Sequence, residues 1–265
     1  MPFQENTAKP IKPVRLVFIH HSCGQNWLAD GNGGLGKALM DNNYAVSDTN
    51  YGWGQNGIGD HTDIGHWWLW FRGPDSPRYL TDLYHEHEQH SGYSRLNAAE
   101  GENEIIMFKS CYPNSNLGGD PEEAPDISQN PLRGNSSGNP ALHSLGNAKG
   151  IYIDLLRYFE TRPGKLFIAV TAPPVLDPTY ARNARRFNNW LTGEWLKGYR
   201  LNNVAVFDFY NVLAHASGDE NPDTLKYPSD GGNNHPNAEG NKKATAEFIP
   251  WLNGRYNAWR ASASR

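Results

Sequence analysis

The sequence predicts an α/β protein, a three-layer α/β/α sandwich around a mainly parallel five-stranded sheet. Short apolar, β-branched runs, too brief for helices, recur along the chain and end on small polar residues or prolines. Stretches with helical spacing separate them, and that alternation implies parallel strands covered on both faces. The chain has 265 residues and no internal repeat, which suits one large domain over 1–265. Residues 1–13 read as an N-terminal extension.

The first strand is expected over 14–22, within VRLVFIHHSCGQNW, because Val14, Leu16, Val17, Phe18 and Ile19 run without a charge after Arg15. LGKALMDNN has helical spacing at Leu35, Ala38 and Leu39 and ends on Asn42 and Asn43, and YAVSD follows as the second strand. The Gly- and Trp-rich passage TNYGWGQNGIGDHTDIGHWWLWFRGP reads as a loop carrying a short helix. A helical piece at SPRYLTDLYHEHEQH leads to the third strand, NEIIMFKSC. Residues 113–147, rich in Pro, Gly, Asn and Ser, are expected to be a long loop or lid.

The next helix has an apolar stripe at Ile151, Leu155, Leu156 and Phe159 and stops before Pro163-Gly164. KLFIAVTAPP is the fourth strand, YARNARRFNNWLTGEWLKGY a helix, and NNVAVFDFYNVL the fifth strand, ending on Asp208. NAEGNKKATAEFIPWLNGRYNAW closes the chain as a helix.

Composition excludes several function classes. Hydrophobic residues make up 38% and charged residues 20%, as in soluble globular proteins, and no apolar run reaches the ~18 residues of a membrane span. A net charge of -4 with scattered Lys and Arg offers no basic stripe for nucleic acid. MPFQENTAKPIKP lacks a secretory signal pattern, so the protein is either cytoplasmic or exported with its signal outside this sequence. Abundant Trp, Tyr and Phe among Asn and Gly resemble sugar-stacking surfaces and favour a secreted or periplasmic protein, although core filling accounts for most of the rings. Cys23 and Cys111 are too few for a disulfide scaffold and have no zinc spacing; no metal or cofactor is expected.

Ligand sites in open α/β sheets lie beyond the carboxyl ends of the strands. There the first strand presents His21, Ser22, Cys23 and Gly24, the third presents Ser110, Cys111, Tyr112 and Asn114, and the fifth runs on toward YPSDGGNNHPNAEG. Serine needs a neighbouring base before it is nucleophilic, and Ser22 with His235 fits those roles.

With these residues in place, the chain resembles the SGNH/GDSL hydrolases, a family of esterases, lipases and carbohydrate deacetylases with a flavodoxin-like sandwich. The segment SDGGNNHPNAEGNKKATAEF resembles the family's His-Pro-Asn-x-x-Gly block before its last helix, and HHSCG stands where Gly-Asp-Ser is usual. The resemblance implies His235 as base and Ser22 as nucleophile. It implies Asp230 as the orienting acid, displaced from the usual third position before the histidine, with Asp208 as the alternative. For the oxyanion it implies the Ser22 N–H with Gly57, from NGIGDHT, and Asn114, from SCYPNSN; Gly52, Gly59 and Asn116 are the rivals.

His21, Trp53, Trp67 and Tyr112 are the expected substrate-binding residues. An aromatic wall at Trp53, Trp67, Trp68 and Trp70 favours a carbohydrate ester, such as an acetylated sugar, over a lipid. HEHEQH has no His-Glu-x-x-His spacing and reads as a solvated helix face. Cys23 and Cys111 follow strands that end at one sheet edge, so they should lie close and could pair in an exported protein. Beside the esterase, two other readings stay open: a non-catalytic carbohydrate-binding protein and a polysaccharide lyase on this fold.

Overall fold

Alternation along the strands decides which helices cover which face. The computed structural model describes residues 6–97 and 100–263; the first five residues of the expected N-terminal extension lie outside the described residues. Strand β1 (Val14–Ile19) pairs with β2 (Tyr44–Thr49), Val14 opposite Tyr44, and with β3 (Ile105–Lys109), Leu16 opposite Ile105. Beyond β3 lie β4 (Leu166–Val170) and β5 (Val204–Phe207), giving the order β2-β1-β3-β4-β5. All four pairings are parallel, so the five-stranded sheet is wholly so.

Successive residues point to opposite faces. Val17, Ile19, Ile106, Phe108 and Phe167 share one core with α3 (His66–Phe71), α4 (Ser76–His85), α5 (Leu145–Phe159) and α6 (Ala181–Gly193). Leu16, Phe18, Met107 and Ile168 share the other with α1 (Cys23–Leu28), α2 (Leu35–Asp41), α7 (Phe209–Leu213) and α8 (Ala238–Ala263). The three-layer sandwich follows from this division. An antiparallel ribbon, β6 (Pro228–Ser229) with β7 (Asn233–Pro236), stands apart from the main sheet and feeds α8.

Some boundaries differ from expectation. β1 stops at Ile19, the last residue paired with both neighbours, and His20 to Ser22 form the exit from the sheet. α4 ends at His85, so most of HEHEQH is not helical; Glu86 turns inward and accepts a hydrogen bond from the Trp53 indole. Residues 113–147 contain a 3-10 turn and pack across α5. There Arg133 pairs with Asp154 at 2.9 Å, and a Cβ on Gly150 would stand 1.8 Å from the Asp126 carbonyl.

The chain leaves β1 for β2 on one side and returns to β3 on the other. This reversal opens a crevice at the carboxyl ends of β1 and β3.

Candidate active site

Two residues past β1, Ser22 adopts φ 43° and ψ -96°, a conformation that costs an L-residue about 1–3 kcal/mol. It marks a sharp turn from strand into α1 that lifts the side chain clear of the sheet. The turn is held from beneath. A Cβ on Gly24 would stand 2.4 Å from the His20 Cβ, so only glycine lets α1 lie this close to the strand end. His20 is fully buried, and burial lowers its pKa, so neutral His20 donates through Nε2 to Asp48 at 3.0 Å. Asp48 also accepts from Ser91 Oγ at 2.6 Å, the Tyr93 hydroxyl at 3.0 Å and the His90 N–H at 2.7 Å. Burial opposes ionisation of Asp48, but the His20 bond and these others hold its carboxyl below the usual range.

His235 arrives on β7 and its Nε2 meets Ser22 Oγ in a short hydrogen bond. Asn233 sets its tautomer. The Asn233 Oδ1 accepts the His235 backbone N–H at 2.8 Å, and a backbone N–H only donates, so this atom is the amide oxygen. The same oxygen lies 3.1 Å from His235 Nδ1, which must therefore carry the proton and leave Nε2 as acceptor for the Ser22 hydroxyl. Ser229 Oγ donates to it as well, at 2.6 Å, tying both ribbon strands to one atom. The Tyr112 ring meets the imidazole edge-on, with centroids 5.1 Å apart.

Asp230, the expected acid, is exposed and borders the cleft, whereas Asn233 occupies the Nδ1 position. Gly231 and Gly232, both at positive φ, turn the ribbon between Asp230 and the histidine strand. Asp208 caps α7 by accepting the Asn211 N–H at 3.1 Å, and burial raises its pKa.

The expected oxyanion donors are also engaged. Gly57 donates its N–H to Gly54 O at 3.3 Å, and its rivals Gly59 and Gly52 donate to Trp53 O and Asp60. Buried Asn114 spends its amide on Asp63 at 2.7 Å and on Cys111 O at 3.3 Å, while its oxygen accepts from Ile64. Asn116 is exposed, with its carbonyl on His143. The Ser22 N–H has no intrachain partner among the described residues.

Of the expected binding residues, His21 and Tyr112 stand beside the dyad, with His21 Nδ1 bonded to Thr62 Oγ1. Trp53 and Trp67 do not. Trp67 is fully buried with its N–H on Ser110 Oγ at 2.9 Å, and Trp53 stacks on buried Trp70 at 5.7 Å. Trp67 and Trp70 are core because α3 turns their faces inward, and Trp68 is half-buried against the same cluster.

Tyr51 was not among the expected residues. It is 60% exposed, its ring meets that of His21 at a tilt with centroids 5.0 Å apart, and it lines the same cleft as Ser22. Its signal in the sequence was position alone, just after β2 at the same sheet edge. Together Ser22, His235 and Tyr51 border an open cleft of about 750 Å³ whose walls carry Gln25, Asn26, Asn32, Asn233 and Asn237.

Cys23 and Cys111 do meet, with Sγ atoms 3.1 Å apart and both thiols free. These sulfurs and a His235 nitrogen lie within 4.8 Å of one another, with the two sulfurs in hydrogen-bond contact and His235 Nε2 on Ser22.

No family model matches the chain, and no curated protein matches it. Among solved structures it is similar to the lipase Lip_vut3 from a goat rumen metagenome, with a TM-score of 0.43 and 11% identity over 89% of this chain and 95% of that one.

Proposed function

We propose that the protein is a serine ester hydrolase of the SGNH/GDSL kind, working through an acyl-enzyme. The observation that carries the reading is the strained Ser22 whose hydroxyl faces an unprotonated His235 Nε2. His235 takes the Ser22 proton as Oγ attacks an ester carbonyl, and it returns that proton to the leaving alcohol. Water then enters by the same route and releases the acid. Asn233 orients the imidazole through a neutral amide oxygen.

The charge on the tetrahedral oxygen falls to the Ser22 N–H and the Tyr51 hydroxyl, the donors beside Oγ that are not consumed by the fold. One such donor is worth roughly 100- to 1000-fold in rate.

The substrate is read as a carbohydrate ester, such as an acetylated sugar. Support now comes from the amide-lined cleft rather than from a tryptophan wall: Gln and Asn side chains offer both donors and acceptors to ring hydroxyls. Tyr51 and Tyr112 supply the aromatic surface near the reacting atoms.

Fluorophosphonate labelling joined to aryl-acetate hydrolysis tests this. Wild type should be labelled at Ser22 and hydrolyse the ester; Ser22→Ala should lose the label and lower kcat about 10⁴-fold or more. Full activity in Ser22→Ala would sink the proposal.

A further inference from the structure

The buried thiols behind the nucleophile have no part in the chemistry above, yet they face the same imidazole. Cys23 directly follows Ser22 on the turn into α1, and Cys111 directly precedes Tyr112, whose ring lies against His235. The Cys111 S–H donates to Cys23 Sγ at 3.1 Å, and both thiols are free and buried. A His235 nitrogen completes a triangle in which no two ligand atoms are more than 4.8 Å apart.

Two sulfurs and an imidazole are the donors that zinc and its heavier relatives take up, with metal–sulfur bonds of about 2.3 Å and metal–nitrogen bonds of about 2.0–2.1 Å. Around a tetrahedral ion these lengths put the sulfurs about 3.8 Å apart and each sulfur about 3.6 Å from the nitrogen. From 3.1 Å the sulfurs need to open by about 0.7 Å, and from 4.8 Å the imidazole needs to close by about 1.2 Å at most. Two thiolates balance the charge of a dication, so the filled site places no net charge among buried groups. His235 and Ser22 line the cleft in front of the sulfurs, which makes the cleft the way in.

The nitrogen a metal needs is also the one the reaction needs. Nδ1 carries the proton held by the Asn233 amide oxygen at 3.1 Å, so the free lone pair is that of Nε2, on Ser22. An oxygen holding the other ring N–H is what orients a metal-ligating histidine as well. Asn233 thus prepares one lone pair for two uses that exclude each other.

We propose that Cys23, Cys111 and His235 form a binding site for a zinc-type dication and, resting on the hydrolase reading, that the bound ion switches the Ser22 site off by taking the lone pair of its base. Binding forms two metal–sulfur bonds and one metal–nitrogen bond. Both thiol protons leave for solvent, no electrons change hands, and the Ser22 hydroxyl keeps its proton. The cysteines are 88 positions apart, so no local spacing in the sequence reveals the set.

The test adds Zn²⁺ or Cd²⁺ to the whole protein, first reduced with a phosphine that is then removed, and reads binding and activity separately. Equilibrium dialysis should find one tightly held ion per chain, and Cd²⁺ should bring up the ultraviolet absorption of a thiolate-to-metal transition. Aryl-acetate hydrolysis and fluorophosphonate labelling at Ser22 should fall together, about tenfold or more at saturation, and recover on EDTA. Mg²⁺, which prefers oxygen ligands, should do none of this. Cys111→Ala should keep metal-free hydrolysis, lose the absorption and need about 100-fold more metal for the same inhibition. Should it fold poorly, Cys111→Ser, closer in size, is read in its place.

No tight ion with hydrolysis intact overturns the site and spares the hydrolase reading. An ion held equally by wild type and Cys111→Ala sits on exposed histidines such as His85 and His87, and overturns the site too. A thiolate-bound ion that leaves hydrolysis and labelling unchanged overturns the part of His235 and the switch. A thiolate-bound ion on a protein that shows neither hydrolysis nor labelling when metal-free overturns the hydrolase reading, and the switch with it.

Discussion

The two halves of the candidate dyad are held in opposite ways. Ser22 stands on the core: Gly24 is pressed against His20, His20 is buried on Asp48, and Asp48 collects three further hydrogen bonds. His235 stands on a short ribbon whose tip is exposed, and a single amide oxygen at Asn233 gathers three donors from it. The serine's position is a matter of packing, and the histidine's is a matter of one polar atom. Substitutions should therefore separate stability from activity according to which half they touch.

The largest effect is expected on the ribbon. Asn233→Ala removes the acceptor that selects the Nδ1–H tautomer, and kcat should fall about 100-fold with KM little changed. Asn233→Asp keeps an oxygen in place and should recover most of that loss, which a purely structural role for Asn233 would not predict. Steady-state kinetics on an aryl acetate reads both.

On the core half, Gly24→Ala places a methyl into His20 and should cost about 2–3 kcal/mol of stability in denaturant unfolding. Equal stability in the variant would show that the close approach is not a constraint.

Stability should also respond to pH. Burial pushes His66, beside His61, down to about 4 from its ordinary value of 6.5. An unfolded chain binds that proton first as pH falls from 6.5, so the stabilisation is full above 6.5 and is lost progressively toward pH 4. Between pH 7 and 5 this amounts to about 2 kcal/mol, and His66→Gln should flatten the slope in urea titrations.

The smallest effect belongs to Asp230→Asn. Asn233, not Asp230, serves Nδ1, so kcat should change less than about threefold, and a loss near that of Asn233→Ala would restore the carboxylate as orienter.

The strands and their covering helices were legible in the sequence because period-2 and period-3.6 patterns are local properties. Ser22 and His235 were legible because each sits at an element boundary with a recognisable neighbour, and they meet. What was not legible depended on where backbone amides and rings point. Gly57 has the right residue type, but its N–H closes a turn; Asn114 has the right amide, but Asp63 and Cys111 use it up. Trp67 lies in a loop-like passage, yet a short helix carries it into the core. Asp230 was favoured because a carboxylate is the expected partner of a histidine, whereas two left-handed glycines let the chain turn and bring Asn233 up instead.

The Ser22–His235 bond spans 213 positions of sequence, joining the first strand to the entry of the last helix. A chain emerging from the ribosome has its serine turn long before its base exists, and contacts of such separation are slow to close. On the proposed mechanism, Ser22 is thus without its base through most of synthesis. Recovery of hydrolysis during refolding should report the arrival of the C-terminal segment, and a polypeptide truncated before Asn233 would carry the turn without the reaction.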